Sequence, residues 1–238
     1  MLAVVVPAHN EAEHIGACVQ ALFVARGCKS LQGEPVAVIV VLDACTDGTA
    51  AVARSGGAVT VTVNARNVGV ARARGAELAL QLGARWLAFT DADTLVAPDW
   101  LAAQLALGCD AVCGTVAVRD WGSYAERTRR HHDTTYRDID GHRHIHGANL
   151  GVSAAAYRRV GGFRPLVSSE DVALVQALQA CAATIAWSAA PRVVTSSRRN
   201  YRAPAGFGAA LERAERALAA VDVIEASEVA SLAAKACD

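Results

Sequence analysis

The chain of 238 residues is 53% hydrophobic, which excludes an intrinsically disordered protein and permits a sizeable core. Lysine plus arginine and aspartate plus glutamate each number 23, so the formal net charge is zero and the basic footprint of a nucleic-acid-binding protein is absent. We therefore predict a single domain over residues 1–238 that does not bind nucleic acid.

In the first half of the sequence, each apolar strand pattern is followed by a helical pattern. Strands are predicted at 2–6, 36–42, 58–63 and 86–90, and helices at 11–25, 46–54 and 70–82. Valine-rich strands that alternate with alanine-rich helices are typical of a doubly wound, mostly parallel sheet flanked by helices. The predicted fold class is therefore α/β.

The second half of the sequence is less regular. Helices are predicted at 98–107, 123–138, 153–160 and 171–182, and strands at 111–118, 144–152, 184–187 and 193–194. The alanine-rich tail, from about residue 206 to 238, is predicted to be helical with a break near Val221. The sequence has no internal repeat and no low-complexity linker, which favours one compact unit.

The sequence favours a cytoplasmic protein. Its seven cysteines are scattered and form no Cys-x-x-Cys pair, which is typical of reduced thiols. A strand pattern begins directly after Met1, without the charged segment and cleavage site of a signal peptide. The longest apolar run, Val36 to Leu42, is far shorter than the roughly 20 residues of a membrane helix. We expect no transmembrane segment, while peripheral membrane contact stays open.

Polar side chains follow all four predicted strands of the first half. In chain order they are Asn10 and Glu11, Asp43 and Asp47, Asn67, and Asp91 and Asp93. Ligands of open α/β sheets bind beside the carboxyl ends of the strands. These side chains therefore predict a binding site at that edge of the sheet.

The most informative of these groups is Asp91-Ala92-Asp93. Proteins commonly hold Mg²⁺ or Mn²⁺ with one or two carboxylates, while water and substrate phosphate complete the coordination shell. An ion bound in this way neutralises a departing diphosphate. Because Asp-x-Asp also occurs in loops and helix caps, its interpretation depends on the rest of the chain.

Several segments, in order along the chain, resemble the motifs of the family 2 glycosyltransferases. They are Val4–Glu11, Val40–Thr49, Asn67–Gly75, Phe89–Asp93, Gly147–Asn149, Gly161–Phe163 and Ser169–Asp171. The resemblance extends over about residues 4–199. It implies the GT-A, or nucleotide-diphospho-sugar transferase, fold and inverting transfer of a sugar. Residues 1–95 would then form the nucleotide-binding half and 96–200 the acceptor-side half.

The same resemblance implies roles for individual residues on the donor side. The expected nucleotide contacts are Pro7, Ala8, Asn10, Glu11, Asp43, Asp47, Arg74 and Asp91. Asp93 and Asp91 are the expected ligands of a divalent cation, Mg²⁺ or Mn²⁺. The family often has Asn where Gly75 stands, so no nucleotide contact is expected there. A uridine diphosphate sugar is the default donor by resemblance, and the acceptor stays open.

On the acceptor side, the resemblance gives Asp171 the role of catalytic base. Inverting transfer needs a base to take the proton of the acceptor hydroxyl as its oxygen attacks the anomeric carbon. A carboxylate that opens a helix is oriented by the backbone and the helix dipole. The further acceptor-side residues expected are Glu170, His146, Asn149 and Gly162. The alternative interpretation is that Glu170 and Asp171 only cap a helix.

Two other groups of polar residues have more than one interpretation. Five histidines fall within sixteen residues, namely His131, His132, His142, His144 and His146. Lining of an acceptor site is favoured over a plain surface position, and zinc binding comes third. Arg198 and Arg199 follow a short strand pattern and either contact a diphosphate or an anionic acceptor, or lie exposed on a loop.

Two other functions fit the same predicted fold. A sugar-phosphate nucleotidyltransferase would have a glycine-rich, basic loop after the first strand, but Pro7 to Glu11 contains no glycine, lysine or arginine. A non-catalytic nucleotide-binding scaffold would not need Asp91, Asp93 and Asp171, all of which are present. A dehydrogenase is disfavoured because no Gly-x-Gly-x-x-Gly follows the first strand.

Overall fold

The computed structural model describes residues 1–201 and 206–220, which form two sheets and the helices around them. The strands are β1 (Leu2–Ala8), β2 (Val36–Asp43), β3 (Val59–Val63), β4 (Trp86–Phe89), β5 (Leu95–Val96), β6 (Ala111–Gly114), β7 (Ala117–Val118), β8 (Leu150–Ser153), β9 (Ile185–Ser188) and β10 (Val193–Thr195). The helices are α1 (Ile15–Arg26), α2 (Thr49–Ser55), α3 (Val68–Gln81), α4 (Trp100–Ala106), α5 (Glu126–Thr135), α6 (Ala154–Arg159) and α7 (Glu170–Ala180), with one 3₁₀ turn at Lys29–Leu31.

The larger sheet has seven strands in the order β3-β2-β1-β4-β8-β6-β9. Its strands are paired in parallel except β8, which runs antiparallel to both β4 and β6. Because β1, β2 and β4 are parallel neighbours, their carboxyl ends meet at one edge of the sheet. The predicted mostly parallel α/β sheet is confirmed.

The centre of the larger sheet is buried on both faces. Every residue of β4, and all but Pro7 in β1, is buried, as expected for parallel strands covered by helices. On one face α3 packs closely against β1 and β2 because Gly75 has no side chain. A Cβ atom at Gly75 would lie 2.3 Å from Cγ1 of Val5 and 2.8 Å from Cγ2 of Val41. This contact excludes the asparagine that the family often has there.

The smaller sheet has three short strands in the order β5-β10-β7. β10 runs antiparallel to β5 and parallel to β7. The sequence predicts one strand at 111–118, whereas the structure has β6 and β7 in different sheets. The two residues of β5 begin after Thr94, which follows Asp93, so this sheet adjoins the predicted metal site.

Contacts between residues divide the chain into two units. One contains Met1–Arg119 and Asp138–Ser196, and therefore both sheets and every helix except α5 among those named above. The other contains Asp120–Arg137 and the described residues from Ser197 onward. Within the second unit, residues 207–220 are helical, and Trp121, Tyr136 and Phe207 pack around the ring of His132. The predicted break near Val221 lies outside the described residues.

The sequence predicts reduced cysteines and no transmembrane helix. The six cysteines within the described residues are all free, and Cys18 and Cys113 are buried. Within residues 1–201 and 206–220, no helix has the length and apolar character needed to cross a membrane.

Candidate active site

The loops after β1 and β2 are joined by hydrogen bonds at the carboxyl edge of the sheet. The side-chain oxygen of Asn10 accepts a bond from the backbone N–H of Thr46 at 2.8 Å. Asp47 accepts bonds from the backbone N–H groups of Ala12 at 3.1 Å and Thr49 at 3.0 Å. Although desolvation opposes it, these bonds and that from the Thr49 hydroxyl hold the pKa of Asp47 below its ordinary value. The two loops therefore form one rigid surface beside β1.

The remaining predicted nucleotide contacts belong to β1, the loop after it and α3. Pro7 is half-buried, while Ala8 is buried within β1. Glu11 is buried, and its backbone N–H donates to the hydroxyl of Thr49 at 2.8 Å. Arg74, on α3, is half-buried and forms an ion pair with Glu77 at 2.6 Å. Their contacts with a nucleotide stay predictions.

Asp43 at the end of β2 organises the loop that leads into α3. It is 4% exposed, and its carboxylate accepts hydrogen bonds from the backbone N–H groups of Ala65, Arg66 and Asn67 at 2.7–2.8 Å. Asn67 then caps α3 by accepting a bond from the N–H of Val70 at 3.0 Å. Asp43 therefore shapes this part of the edge, whether or not it also contacts a base or ribose.

Asp91 and Asp93 lie just after β4, between the loops described above and the smaller sheet. Both are half-buried, and 38% of the Asp91 side chain is exposed. The Asp91 carboxylate pairs with Arg72 at 2.5 Å, and its backbone carbonyl accepts a bond from the thiol of Cys18. Two partly exposed carboxylates on one loop have the chemistry to hold a hard divalent cation whose other ligands come from phosphate and water.

Arg72 is a site residue that the sequence analysis missed. Its side chain reaches from α3 to Asp91 and to Glu170, the first residue of α7, and is 96% buried. Although desolvation disfavours its charged form, Asp91, Glu170 and Asp171 raise its pKa above the ordinary value. A signal was present in the sequence: Arg72 recurs with Gly75, Ala76 and Ala79 at the helical spacing of a buried face.

Glu170 and Asp171 open α7 but face different partners. Glu170 is buried and paired with Arg72, and desolvation raises its pKa above the ordinary value. Asp171 is half-buried, and its Oδ2 accepts a hydrogen bond from the backbone N–H of Gly147 at 2.7 Å. The predicted base is thus oriented by a backbone donor at the start of α7.

The segment before α7 is held against α3 by close backbone contact. The N–H of Gly69 donates to the carbonyl of Leu166 at 3.0 Å, and a Cβ atom at Gly69 would lie 2.2 Å from the carbonyl oxygen of Arg164. The amide of Asn67 also donates to the carbonyl of Pro165 at 3.2 Å. These contacts hold the segment that leads into α7, and thus to Asp171, against α3.

The other predicted acceptor-side residues differ in accessibility. Asn149 is fully buried and bonds Trp100, Thr115 and Pro191, so it shapes the core, and its acceptor contact stays a prediction. Gly162 is also buried. A Cβ atom there would lie 2.6 Å from the ring of Tyr157, which makes it a packing position as well. His146 is half-buried and immediately precedes Gly147, whose backbone N–H donates to Asp171.

Three of the predicted histidines form a stack of rings. The ring centroids of His142 and His144 are 5.4 Å apart, and those of His144 and His146 are 5.8 Å apart, with interplanar angles of 19° and 25°. Within the described residues, no group of three or more His, Cys, Asp or Glu side chains is arranged to hold a metal ion. The stack therefore gives no support to the zinc interpretation.

Arg198 and Arg199 belong to the second unit, together with His131 and His132. Arg199 pairs with Glu215 at 2.7 Å and lies 4.2 Å from the ring centroid of Tyr124. These contacts account for Arg199 within its own unit, and Arg198 is half-buried there. A diphosphate or acceptor contact by either arginine stays a prediction.

The fold and the carboxylate-rich edge define an α/β protein of the nucleotide-sugar transferase class. The model of glycosyl transferase family 2 matches residues 3–161. The chain therefore belongs to glycosyl transferase family 2, which confirms the sequence-based recognition and its assignment to a family of glycosyltransferases. No curated protein matches the chain.

Solved structures with the same fold come from the GT-A glycosyltransferases. A mannosyltransferase from Pyrobaculum calidifontis, in complex with GDP-Man and Mn²⁺, is 20% identical with a TM-score of 0.59, and the match covers 84% of this chain and 57% of that one. TarS from S. aureus, residues 1–349 with UDP-GlcNAc, is 14% identical with a TM-score of 0.65, covering 87% and 61%.

A third structure is matched over a larger share of its own length. Glucosyl-3-phosphoglycerate synthase from Mycobacterium tuberculosis, with Mn²⁺, UDP-Glc and phosphoglyceric acid, is 18% identical with a TM-score of 0.58, covering 83% of this chain and 72% of that one. The chain spans less than two thirds of the mannosyltransferase and TarS chains. At these identities the likeness establishes the fold, and the predicted GT-A fold is confirmed.

Proposed function

We propose that the protein transfers a sugar from a nucleoside diphosphate sugar to an acceptor hydroxyl, with inversion at the anomeric carbon. The observation that carries this proposal is that Asp91 and Asp171, which lie 80 positions apart in the sequence, are brought to one site by Arg72 and its partner Glu170. Arg72 connects the loop of Asp91, the proposed donor-side carboxylate, to the start of the helix that carries Asp171, the proposed acceptor-side base.

On the donor side, Asp93 and Asp91 would hold a divalent cation, Mg²⁺ or Mn²⁺, together with the donor diphosphate. When bound, that cation supplies positive charge against the charge that develops on the leaving diphosphate. The joined loops at Asn10 and Asp47, with the loop held by Asp43, would receive the nucleoside. A loop already fixed by hydrogen bonds loses little conformational freedom when the nucleotide binds.

On the acceptor side, Asp171 would take the proton of the acceptor hydroxyl. Its Oδ2 is held by the N–H of Gly147, so a lone pair of the carboxylate stays oriented for the incoming hydroxyl. An oxygen activated by Asp171 would attack the anomeric carbon opposite the departing diphosphate, and that direction of attack would invert the configuration. His146, beside Gly147, would line the acceptor pocket.

The donor base is a finer proposal. The three structures described above contain GDP-Man, UDP-GlcNAc and UDP-Glc. Two of these three are uridine nucleotides, and we propose a uridine diphosphate sugar as the donor. We also propose a cytoplasmic location, supported by the free cysteines of the described residues.

The test is a product assay with purified protein, Mn²⁺ and a panel of nucleotide sugars and acceptors. We expect release of nucleoside diphosphate and, by NMR, a product with inverted anomeric configuration. Asp171→Asn keeps an oxygen acceptor for the Gly147 N–H but removes the base. Transfer should fall about 10²- to 10⁴-fold, while nucleotide binding is kept.

Asp99→Asn is the matched control for this substitution, because Asp99 is exposed and makes no side-chain capping bond at the start of α4. It should leave turnover unchanged. Unchanged turnover in Asp171→Asn would remove that residue as the base. Release of pyrophosphate would instead indicate the nucleotidyltransferase, and nucleotide binding without any turnover the non-catalytic scaffold.

A further inference from the structure

A buried arginine connects the donor and acceptor sides of the proposed site. Nη2 of Arg72 lies 2.5 Å from Oδ1 of Asp91, and its Nη1 donates to Oε1 of Glu170. Asp91 follows β4, whereas Glu170 immediately precedes Asp171 on α7. The same guanidinium is therefore shared between a predicted metal ligand and the neighbour of the predicted base.

The surroundings fix the position of this guanidinium. A Cβ atom at Gly147 would lie 2.2 Å from Nη1 of Arg72, so the backbone that holds Asp171 is in direct contact with it. The ring of Phe163 lies 6.0 Å from Cζ of Arg72. A buried charge is tolerated only when it is paired, and the two carboxylates provide that pairing.

The two carboxylates are not equally available. The side chain of Glu170 is 4% exposed, whereas that of Asp91 is 38% exposed and can meet a ligand from solvent. Arg72 pairs with Oδ1 of Asp91, so a cation bound by this carboxylate shares its negative charge with the guanidinium. How strongly Arg72 holds Asp91 depends in turn on how much of its charge is engaged by Glu170.

We propose that Arg72 is a positioning residue that couples the two sides, so that Glu170 on the acceptor side sets the affinity of Asp91 for the metal–nucleotide complex. The inference rests on the proposed function. When Glu170 engages Arg72, Asp91 is released toward the cation. When Glu170 is neutral, Arg72 holds Asp91 more tightly and the cation binds more weakly.

The test is a double-mutant cycle on binding, read by calorimetry with Mn²⁺ and the nucleoside diphosphate that the wild type binds. Glu170→Gln keeps the size of the side chain and removes its charge. We expect about two- to 150-fold weaker binding, the range of coupling between residues that share a partner. In Arg72→Met, which removes the connection, adding Glu170→Gln should change the affinity less than twofold.

The matched control is the ion pair between Arg85 and Glu34, which has two bonds of 2.7 and 2.6 Å at the amino end of β4. Glu34→Gln and Arg85→Met remove an arginine–carboxylate pair far from the carboxyl edge, and neither should alter binding. If Arg72→Met does not fold, Arg72→Gln is the second neutral variant, because its amide still donates one hydrogen bond.

The outcomes separate this inference from the proposed function. If the wild type binds none of the nucleoside diphosphates with Mn²⁺, the proposed function and this inference both fail. If the wild type binds but Glu170→Gln has unchanged affinity, only the coupling fails. Because Glu170→Gln retains Arg72, this result does not depend on whether the Arg72 variants fold. Equal effects of Glu170→Gln with and without Arg72 also overturn the coupling.

Discussion

At the scale of single residues, the carboxylate of Asp43 accepts hydrogen bonds from three consecutive backbone N–H groups. In Asp43→Ala these donors lose a buried carboxylate acceptor, although Ala65 and Arg66 themselves are exposed to water. Each such bond contributes about 0.5–1.5 kcal/mol net. We expect unfolding in urea to show a free energy lower by roughly 3 kcal/mol. The exposed Asp99→Ala is the control. A loss below about 0.5 kcal/mol would mean that the loop holds its shape without Asp43.

Some site residues could be predicted from the sequence because local pattern identifies them. Asp91 and Asp93 come directly after a strand, and Asp171 comes at a helix start. Arg72 could not be assigned in the same way, because its partners lie 19 and 98 positions away along the chain. An arginine in an alanine-rich helix is ordinarily exposed, and only tertiary contacts make this one central.

Asn149 is a motif residue that the sequence marked as functional and that has structural contacts in the fold. Its place in a family-like Gly-Ala-Asn segment suggested an acceptor contact, but its amide bonds the indole N–H of Trp100 and two backbone carbonyls in the core. A motif records that a residue type is needed at a position. It does not record whether the need comes from the ligand or from packing.

At the scale of elements, hydrophobic periodicity predicted the central strands and helices. It failed where residues alternate for a reason other than strand formation. The alternation of His142, His144 and His146 suggested a strand at 144–152, but β8 is only Leu150–Ser153. The three alternating histidines instead stack their imidazole rings on one another, outside the sheet. The two-residue strands β5 and β7 form only through pairing with β10, so no local signal marks them.

The aromatic cluster around His132 of α5 predicts that the stability of the protein depends on pH. The ring of His132 lies 4.8 Å from that of Tyr136 and 5.1 Å from that of Trp121, and neither of its nitrogens has a hydrogen-bond partner within the described residues. Burial lowers the pKa of His132 below its ordinary value of 6.5, against the opposing effect of the nearby Asp133. The folded protein therefore favours the neutral ring.

Because the pKa of His132 is lower in the folded than in the unfolded chain, the unfolded chain binds the proton first as pH falls. The stability that this ring provides is complete above pH 6.5 and is lost below it, down to the folded pKa. We expect thermal unfolding of the wild type to shift more between pH 7.5 and roughly 5 than that of His132→Phe. Exposed His131→Gln should behave like the wild type, and parallel pH profiles of wild type and His132→Phe would contradict this account.

At the scale of the whole molecule, the alternation of strands and helices predicted the parallel half of the sheet because right-handed βαβ connections allow few other arrangements. The antiparallel insertion of β8 between β4 and β6 was not predictable, because it pairs residues more than 35 positions apart. Because β8 begins beside Phe89, at the carboxyl end of β4, the segment that leads into it places Gly147 near the carboxyl edge, where its N–H donates to Asp171. The acceptor side therefore depends most on long-range pairing.

The proposed function requires that the carboxyl edge binds a nucleoside diphosphate through a divalent cation at Asp91 and Asp93. The most direct measurement is calorimetric titration with uridine, guanosine and thymidine diphosphates, each with and without Mn²⁺. We predict binding of one nucleotide only with Mn²⁺, weakened at least about tenfold in Asp93→Ala, which corresponds to the loss of one metal ligand. Binding that needs no cation, or that Asp93→Ala leaves unchanged, would contradict the account.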